Sequence, residues 1–309
     1  MIQFRPPLAA LLTLLTLLFM ALAAAPAGAA PPCAKQAEVN VLRSGLGALE
    51  SIGVDRRGRL FFTDSTAGQL LMLRRPGGKP KLILDGIEAP GGIIFQRYGG
   101  NVLVGFGDSI AQATDGPLNP EAGLLRVNPK TGASEVHTEG LQMANGVARG
   151  PGKTIYASID IGSGIDRIRN HRVRLNWANV PTANGMIADS AKRSLFVNQT
   201  FTAAAIQRVP FDDPAGAETY YAAGPADSAA GLDGLTRDGK DRLYTAANGA
   251  GQIWRIDGPS KACVLAEMDP FPSGPSDLAF GKKRGEFSPR NLYVTTFGGE
   301  LLELVGARS

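Results

Sequence analysis

Histidine and cysteine are scarce in this chain: two of each in 309 residues. The usual nitrogen and sulfur ligands of zinc are therefore few, and the cysteine spacing fits no metal motif. No charge of one sign dominates either. Thirty-two Lys and Arg stand against 28 Asp and Glu, for a net charge of +4. The only local basic group, Arg167, Arg169, Arg172 and Arg174, is too small to argue for nucleic acid and reads as a solvated strand and loop. Beyond residue 30 no apolar run is long enough to cross a bilayer, and no heptad run is sustained.

The first 29 residues read as a leader. Met1 to Arg5 give a short positive start, Leu8 to Ala25 form an apolar run, and Pro26-Ala27-Gly28-Ala29 ends in the small-x-small pattern of a signal peptidase site. Cleavage is expected after Ala29, leaving residues 30–309 as one domain in a secreted or periplasmic protein without stable membrane insertion. An uncleaved anchor is the other reading, because 18 apolar residues approach spanning length. No lipobox precedes Cys33. An oxidising compartment favours pairing of Cys33 with Cys263. Such a bridge would close a loop of 230 residues and stabilise by roughly 4–5 kcal/mol on the chain-entropy model. Two unpaired thiols remain the alternative.

What is abundant is glycine and short alternating strands. Gly is 39 and Pro 21 of the 309 residues, as expected for many strands joined by tight turns. One unit recurs six times: a polar start, a small residue, an alternating strand, a polar turn and a second strand. Its copies centre on residues 50–73, 91–127, 145–175, 184–209, 233–256 and 276–304. Taking Gly53, Gly92, Gly146, Gly185, Gly234 and Leu278 as equivalent, the intervals run from 39 to 54 residues, the length of a four-stranded blade. The predicted fold is all-β, a six-bladed β-propeller. A β-helix coil would need a shorter period, and a sandwich does not need six matching units. The longest irregular stretches, Phe106 to Ala122 and Asp160 to His171, are expected near a channel mouth.

Glu50, Asn145, Asn184 and Asp233 each open an inner strand of this repeat. Inner strands of a propeller run the same way along the central channel, so these four side chains are expected to converge on its axis. Two carboxylates and two amides suit Ca²⁺, which takes oxygen ligands and needs its charge neutralised. Asn-Gly and Asp-Gly are also common turn dipeptides, so Asn145, Asn184 and Asp233, each taken alone, also read as bends. Asp64, Asp160, Asn198, Gln199 and Asn248 also end strands, and hydrogen bonding to backbone is the expectation for them.

The segments Leu49-Glu50-Ser51, Ala144-Asn145-Gly146, Asn184-Gly185-Met186 and Leu232-Asp233-Gly234-Leu235, with the strands that follow, resemble those of the regucalcin and gluconolactonase family of calcium-dependent lactonase propellers. The paraoxonases and strictosidine-synthase-like propellers are more distantly similar. The resemblance implies that Glu50, Asn184 and Asp233 hold calcium and that Asn145 contacts the metal, a water or the substrate. It also implies that Asp233 is the general base in hydrolysis of a lactone or simple ester, a small-molecule substrate. In sugar-lactone members an Arg stands two residues before that Asn. Here the position is Met143, which implies a more apolar substrate pocket. The His pair of paraoxonases has no counterpart: His137 reads as a surface residue on an outer strand, and His171 lies in an irregular stretch that could reach the mouth. The alternative to an enzyme is a non-catalytic propeller that binds a ligand or protein and uses calcium structurally.

Overall fold

Each four-stranded repeat buries its middle strands against its neighbours, and this sets the architecture. The computed structural model describes residues 29–96 and 99–308; the leader expected over residues 1–29 lies, but for Ala29, outside them. The first blade comprises β2 (Leu49–Val54), β3 (Leu60–Asp64), β4 (Gln69–Leu73) and β5 (Lys81–Leu84). The second is β6 (Ile93–Phe95), β7 (Val102–Phe106), β8 (Ala122–Val127) and β9 (Ser134–Leu141), and the third β10 (Val147–Arg149), β11 (Ile155–Ser158), β12 (Ser163–Arg169) and β13 (Arg172–Pro181). The fourth is β14 (Ala183–Asp189), β15 (Ser194–Gln199), β16 (Ala205–Pro210) and β17 (Glu218–Ala222), and the fifth β18 (Leu232–Arg237), β19 (Leu243–Ala247), β20 (Gln252–Gly258) and β21 (Lys261–Glu267). The sixth joins β22 (Pro275–Phe280), β23 (Leu292–Thr296) and β24 (Leu301–Val305) to β1 (Glu38–Arg43), which forms its outer strand. The inner strands touch in sequence from β2 to β22, and β22 returns to β2, so the ring is closed.

Second strands such as β3 and β23 are buried along their whole length, because each is covered on both faces by adjacent blades. The core is accordingly a set of six wedges between blades. Tyr156, Trp177, Met186 and Leu195 fill the wedge between the third and fourth. Leu49, Phe62, Tyr293 and Leu301 fill that between the first and sixth.

The ring is fastened at its seam in three ways. β1 pairs antiparallel with β24, from Glu38 opposite Val305 to Arg43 opposite Leu301. Asp277 of β22 accepts hydrogen bonds from Ser51 Oγ (2.8 Å) and Ile52 N (3.1 Å) of β2. The segment before β1 straps the fifth blade: Val264 N donates to Pro31 O (2.8 Å), Cys33 N to Val264 O (2.8 Å) and Ala37 N to Leu265 O (2.9 Å). Cys33 and Cys263 form a disulfide within this strap.

Two expectations need correction. The stretch from Asp160 to His171 is mostly the strand β12, with Ile165 and Ile168 buried on opposite faces, against the fourth and the second blade. The irregular reading arose because two positive-φ glycines, Gly162 and Gly164, interrupt its entry. The equivalence of Gly53 and Leu278 with the other glycines is also displaced. The strand pairing places Ile52, Val147, Met186, Leu235 and Leu278 at one level. The residues matching Gly92, Gly146, Gly185 and Gly234 are therefore Ser51 and Asp277.

Candidate metal centre

With the blades in this register, Glu50, Gly91, Asn145, Asn184, Asp233 and Ser276 occupy one position at the start of the six inner strands. In β2, β14, β18 and β22 the pairing slips at this point: Leu49 to Ile52, Ala183 to Met186, Leu232 to Leu235 and Pro275 to Leu278 each span a bulge. A bulge re-aims a side chain locally. The glycines that follow are required by close approach. A Cβ on Gly146 would stand 2.4 Å from Asn184 O, and one on Gly185 would stand 2.3 Å from Asp233 O. Neither glycine has positive φ. Asn145-Gly146 and Asn184-Gly185 therefore mark contact between neighbouring inner strands and not hairpin turns.

Glu50, Asn145, Asn184 and Asp233 line two cavities at once. One is the channel of about 330 Å³. The other is a smaller mouth cavity of about 180 Å³. The four form a polar partition between them. The mouth also receives Asp108 and Asp160, together with Ile110, Met143, Phe201, Phe271 and Phe297, and no Lys, Arg or His. Met143 is 2% exposed and packs against Ile159 and Ile161.

The carboxylates are crowded. Burial pushes Glu50 well above the ordinary carboxylate range, and repulsion from Asp108, Asp233, Asp160 and Asp277 adds to it. Asp233 is raised by burial first and then by Asp277, Asp160 and Asp108, against one hydrogen bond from Asn184. Burial pushes Asp108 up to about 8, with Asp160 contributing, and it raises Asp160 and Asp277 to about 6. The amide Nδ2 of Asn145 stands 3.5 Å from Glu50 Oε1 and 3.4 Å from Asp108 Oδ2. One oxygen of Asp160 is buried without a hydrogen-bond partner. This donor set is all oxygen and rich in negative charge. It fits a hard divalent cation such as Ca²⁺ and not zinc. Among the described residues no group of three or more His, Cys, Asp or Glu meets ligating geometry; two of the four candidate ligands are asparagines, outside those residue types.

Asp64, Asn198, Gln199 and Asn248 bond to neighbouring backbone, as expected. Asp64 accepts from Gly47 N at 2.9 Å and Ala67 N at 2.8 Å. Asn198 donates to Asp233 O at 2.6 Å and Gly234 O at 2.9 Å, so it braces the Asp233 backbone. Gln199 and Asn248 donate to Pro181 O and Pro275 O. Asp160 also takes backbone hydrogen bonds, from Ile161 and its own amide, but keeps one oxygen bare at the mouth. Asp108 was not foreseen as a site residue. It follows β7 at the head of the Phe106 to Ala122 stretch, whose helix α1 (Ile110–Asp115) is capped by Ser109. The placing of that stretch at the mouth was its only sequence signal. His171 does not reach the mouth. It sits in the β12–β13 turn at the outer rim, its ring 4.8 Å from that of His137.

A scan against protein-family models gives no match, and a search of curated proteins gives none. Solved structures do match in shape. A gluconolactonase from Xanthomonas campestris is 13% identical, with 91% of this chain and 99% of that one covered, at a TM-score of 0.68. A calcium-binding protein, regucalcin, from Agrobacterium tumefaciens is 16% identical, with 90% and 95% covered, at 0.65. A virginiamycin B lyase from Staphylococcus aureus, in a catalytically inactive form with a histidine replaced by alanine, is 14% identical, with 87% and 98% covered, at 0.57. At these identities the likeness is one of architecture: this chain has the six-bladed propeller fold that gluconolactonase and regucalcin share.

Proposed function

We propose that the protein is an exported, calcium-dependent hydrolase of lactones or simple esters. The observation that carries this reading is the crowding of Glu50, Asp108, Asp160, Asp233 and Asp277 around one end of the channel, with no basic side chain lining the mouth. Buried like charges of this density call for a divalent counter-ion. Glu50, Asn145, Asn184 and Asp233 would hold it, and when bound it would polarise an ester carbonyl and stabilise the developing oxyanion.

The chain's own groups supply the rest. Asp233, buried and braced through Asn198, is the carboxylate placed to take a proton from an attacking water. Met143, Phe201, Phe271 and Phe297 give the mouth an apolar wall. Asp108 and Asp160 turn away anionic substrates such as sugar acids. The gluconolactonase and regucalcin likenesses support a lactonase-type site; the lyase likeness does so less. That lyase is inactive without a histidine, and both histidines here lie at the outer rim.

The test is thermal unfolding of the mature protein with calcium and with chelator, alongside hydrolysis of apolar lactones and aryl esters. Ligand at a hundredfold excess over its dissociation constant stabilises by about 2.7 kcal/mol. Asp233→Ala should lose that gain, and Asp233→Asn should lose turnover while keeping the fold. Retained turnover in Asp233→Asn removes the base from Asp233. Because the four ligands come from four blades, the ion would also tie the ring together. Calcium-dependent stability without hydrolysis of any ester selects that structural role.

A further inference from the structure

The arginines that the proposed hydrolase site leaves unused lie together at the opposite end of the third blade. Inner strands start at the polar partition, so third strands run away from it, and the β12–β13 turn lies at the far end. In that hairpin Arg167 stands directly opposite Arg174, and Arg169 directly opposite Arg172. Opposed residues have Cα atoms about 5 Å apart, and successive pairs on one face are separated by about 7 Å. All four arginines therefore project from one face. Ile168 and Val173, between them in register, pack inward. The turn is held by Asn170 and His171, both at positive φ.

Like charges directly opposed on a sheet destabilise it. Among the described residues no carboxylate relieves them: none of the four arginines forms an ion pair. The Nε of Arg167 is buried without a hydrogen-bond partner. Two concavities flank the hairpin. One, of about 490 Å³, is lined by all four arginines with Asn170 and Val173. The other, of about 380 Å³, lies between the third and fourth blades and adds Lys153, Tyr156, Phe211 and Asp212. Asp212 is the one acidic side chain there, and it is engaged by Arg193.

We infer that this hairpin and its groove form a binding site for a small, multiply charged phosphate ligand. Guanidinium forks match phosphate oxygens two at a time. Two opposed pairs present four such forks to one ligand, and the buried Arg167 Nε supplies a donor in want of an acceptor. The site is separate from the channel mouth, and its test does not depend on calcium or on turnover.

The experiment is calorimetric titration of the mature chain with pyrophosphate at fixed ionic strength. The expected result is saturable binding. Affinity should fall at least about tenfold in Arg169→Gln/Arg172→Gln, whose side chains are exposed, since a hydrogen bond to a charged group is worth about 1.5–3 kcal/mol. It should fall as far in Arg167→Gln/Arg174→Gln. Arg75→Gln, on the outside of the first blade, should bind as the parent does. Without ligand at low salt, neither double variant should melt below the parent, because a repulsion has been removed. No saturable binding, or an equal loss in Arg75→Gln, overturns the site. So does arginine-dependent capture on phosphatidylglycerol vesicles without pyrophosphate binding, which would make the hairpin a membrane contact.

Discussion

Raising the pH should weaken the metal-free protein, and calcium should cancel the effect. Asp277 titrates near its ordinary value when unfolded and at about 6 when folded, because burial disfavours its charge. Between those values the folded chain binds more protons than the unfolded one, so stability falls as pH rises. The two-unit difference is worth roughly 3 kcal/mol. Asp160 and Asp108 extend the window, since they lose their protons at about 6 and about 8 in the fold. For a domain of this size roughly 3 kcal/mol lowers the melting temperature by about 6–10 °C. Melts followed by circular dichroism should therefore drop by at least that much from about pH 4 to about pH 8 in chelator. In saturating calcium the carboxylates are neutralised as ligands or neighbours of the ion, and the profile should flatten over the same range. A metal-free profile that is flat, or that climbs with pH, would refute the reasoning, because it would mean that burial does not hold the protons on Asp277, Asp160 and Asp108 in the folded chain.

Cys33→Ser should lower the melting temperature of the oxidised protein by about 10 °C. The bridge closes a loop of 230 residues, worth about 5 kcal/mol by chain entropy, and an unchanged melt would show that the strap holds without it. Gly146→Ala should destabilise and lower calcium affinity together, because its methyl would press on Asn184 O; denaturant titration and calcium binding read the two effects. Asp227→Asn should make the strap more accessible to exchange. Ala30 N donates to Asp227 Oδ2 at 2.6 Å, and hydrogen exchange over residues 30–37 measures the loss.

The repeat was legible because every blade must bury the same pair of faces, and that requirement writes the same alternation six times. Glu50, Asn145, Asn184 and Asp233 were legible for a related reason: they share a register, and register survives in sequence as distance from the following strand. Ser51 and Asp277 were missed because the glycine that marks this point in the other four blades is absent from theirs, and the alignment slid to Gly53 and Leu278. Asp108 and Asp160 arrive from connections between strands, outside the repeat, so no period could bring them to the axis. β1 carries the alternation Glu38-Val39-Asn40-Val41, but its partner β24 lies at the other end of the chain. His171 was misplaced because β12 was read as loop.

The seam of the ring has a consequence for synthesis. The strand that completes the sixth blade is made before every other described strand, and its partner, Leu301–Val305, after all of them. Until β24 has been made, β1 has no edge to join, and the partners of β2 and of the strap's cysteine, Asp277 and Cys263, come only shortly before it. A chain threaded across a membrane from its N-terminus would therefore emerge as an open arc and become a circle only once β24 has followed. Loss of residues 300–309 should remove β24 and with it the pairing of β1, leaving the seam to the Asp277 bonds and the strap.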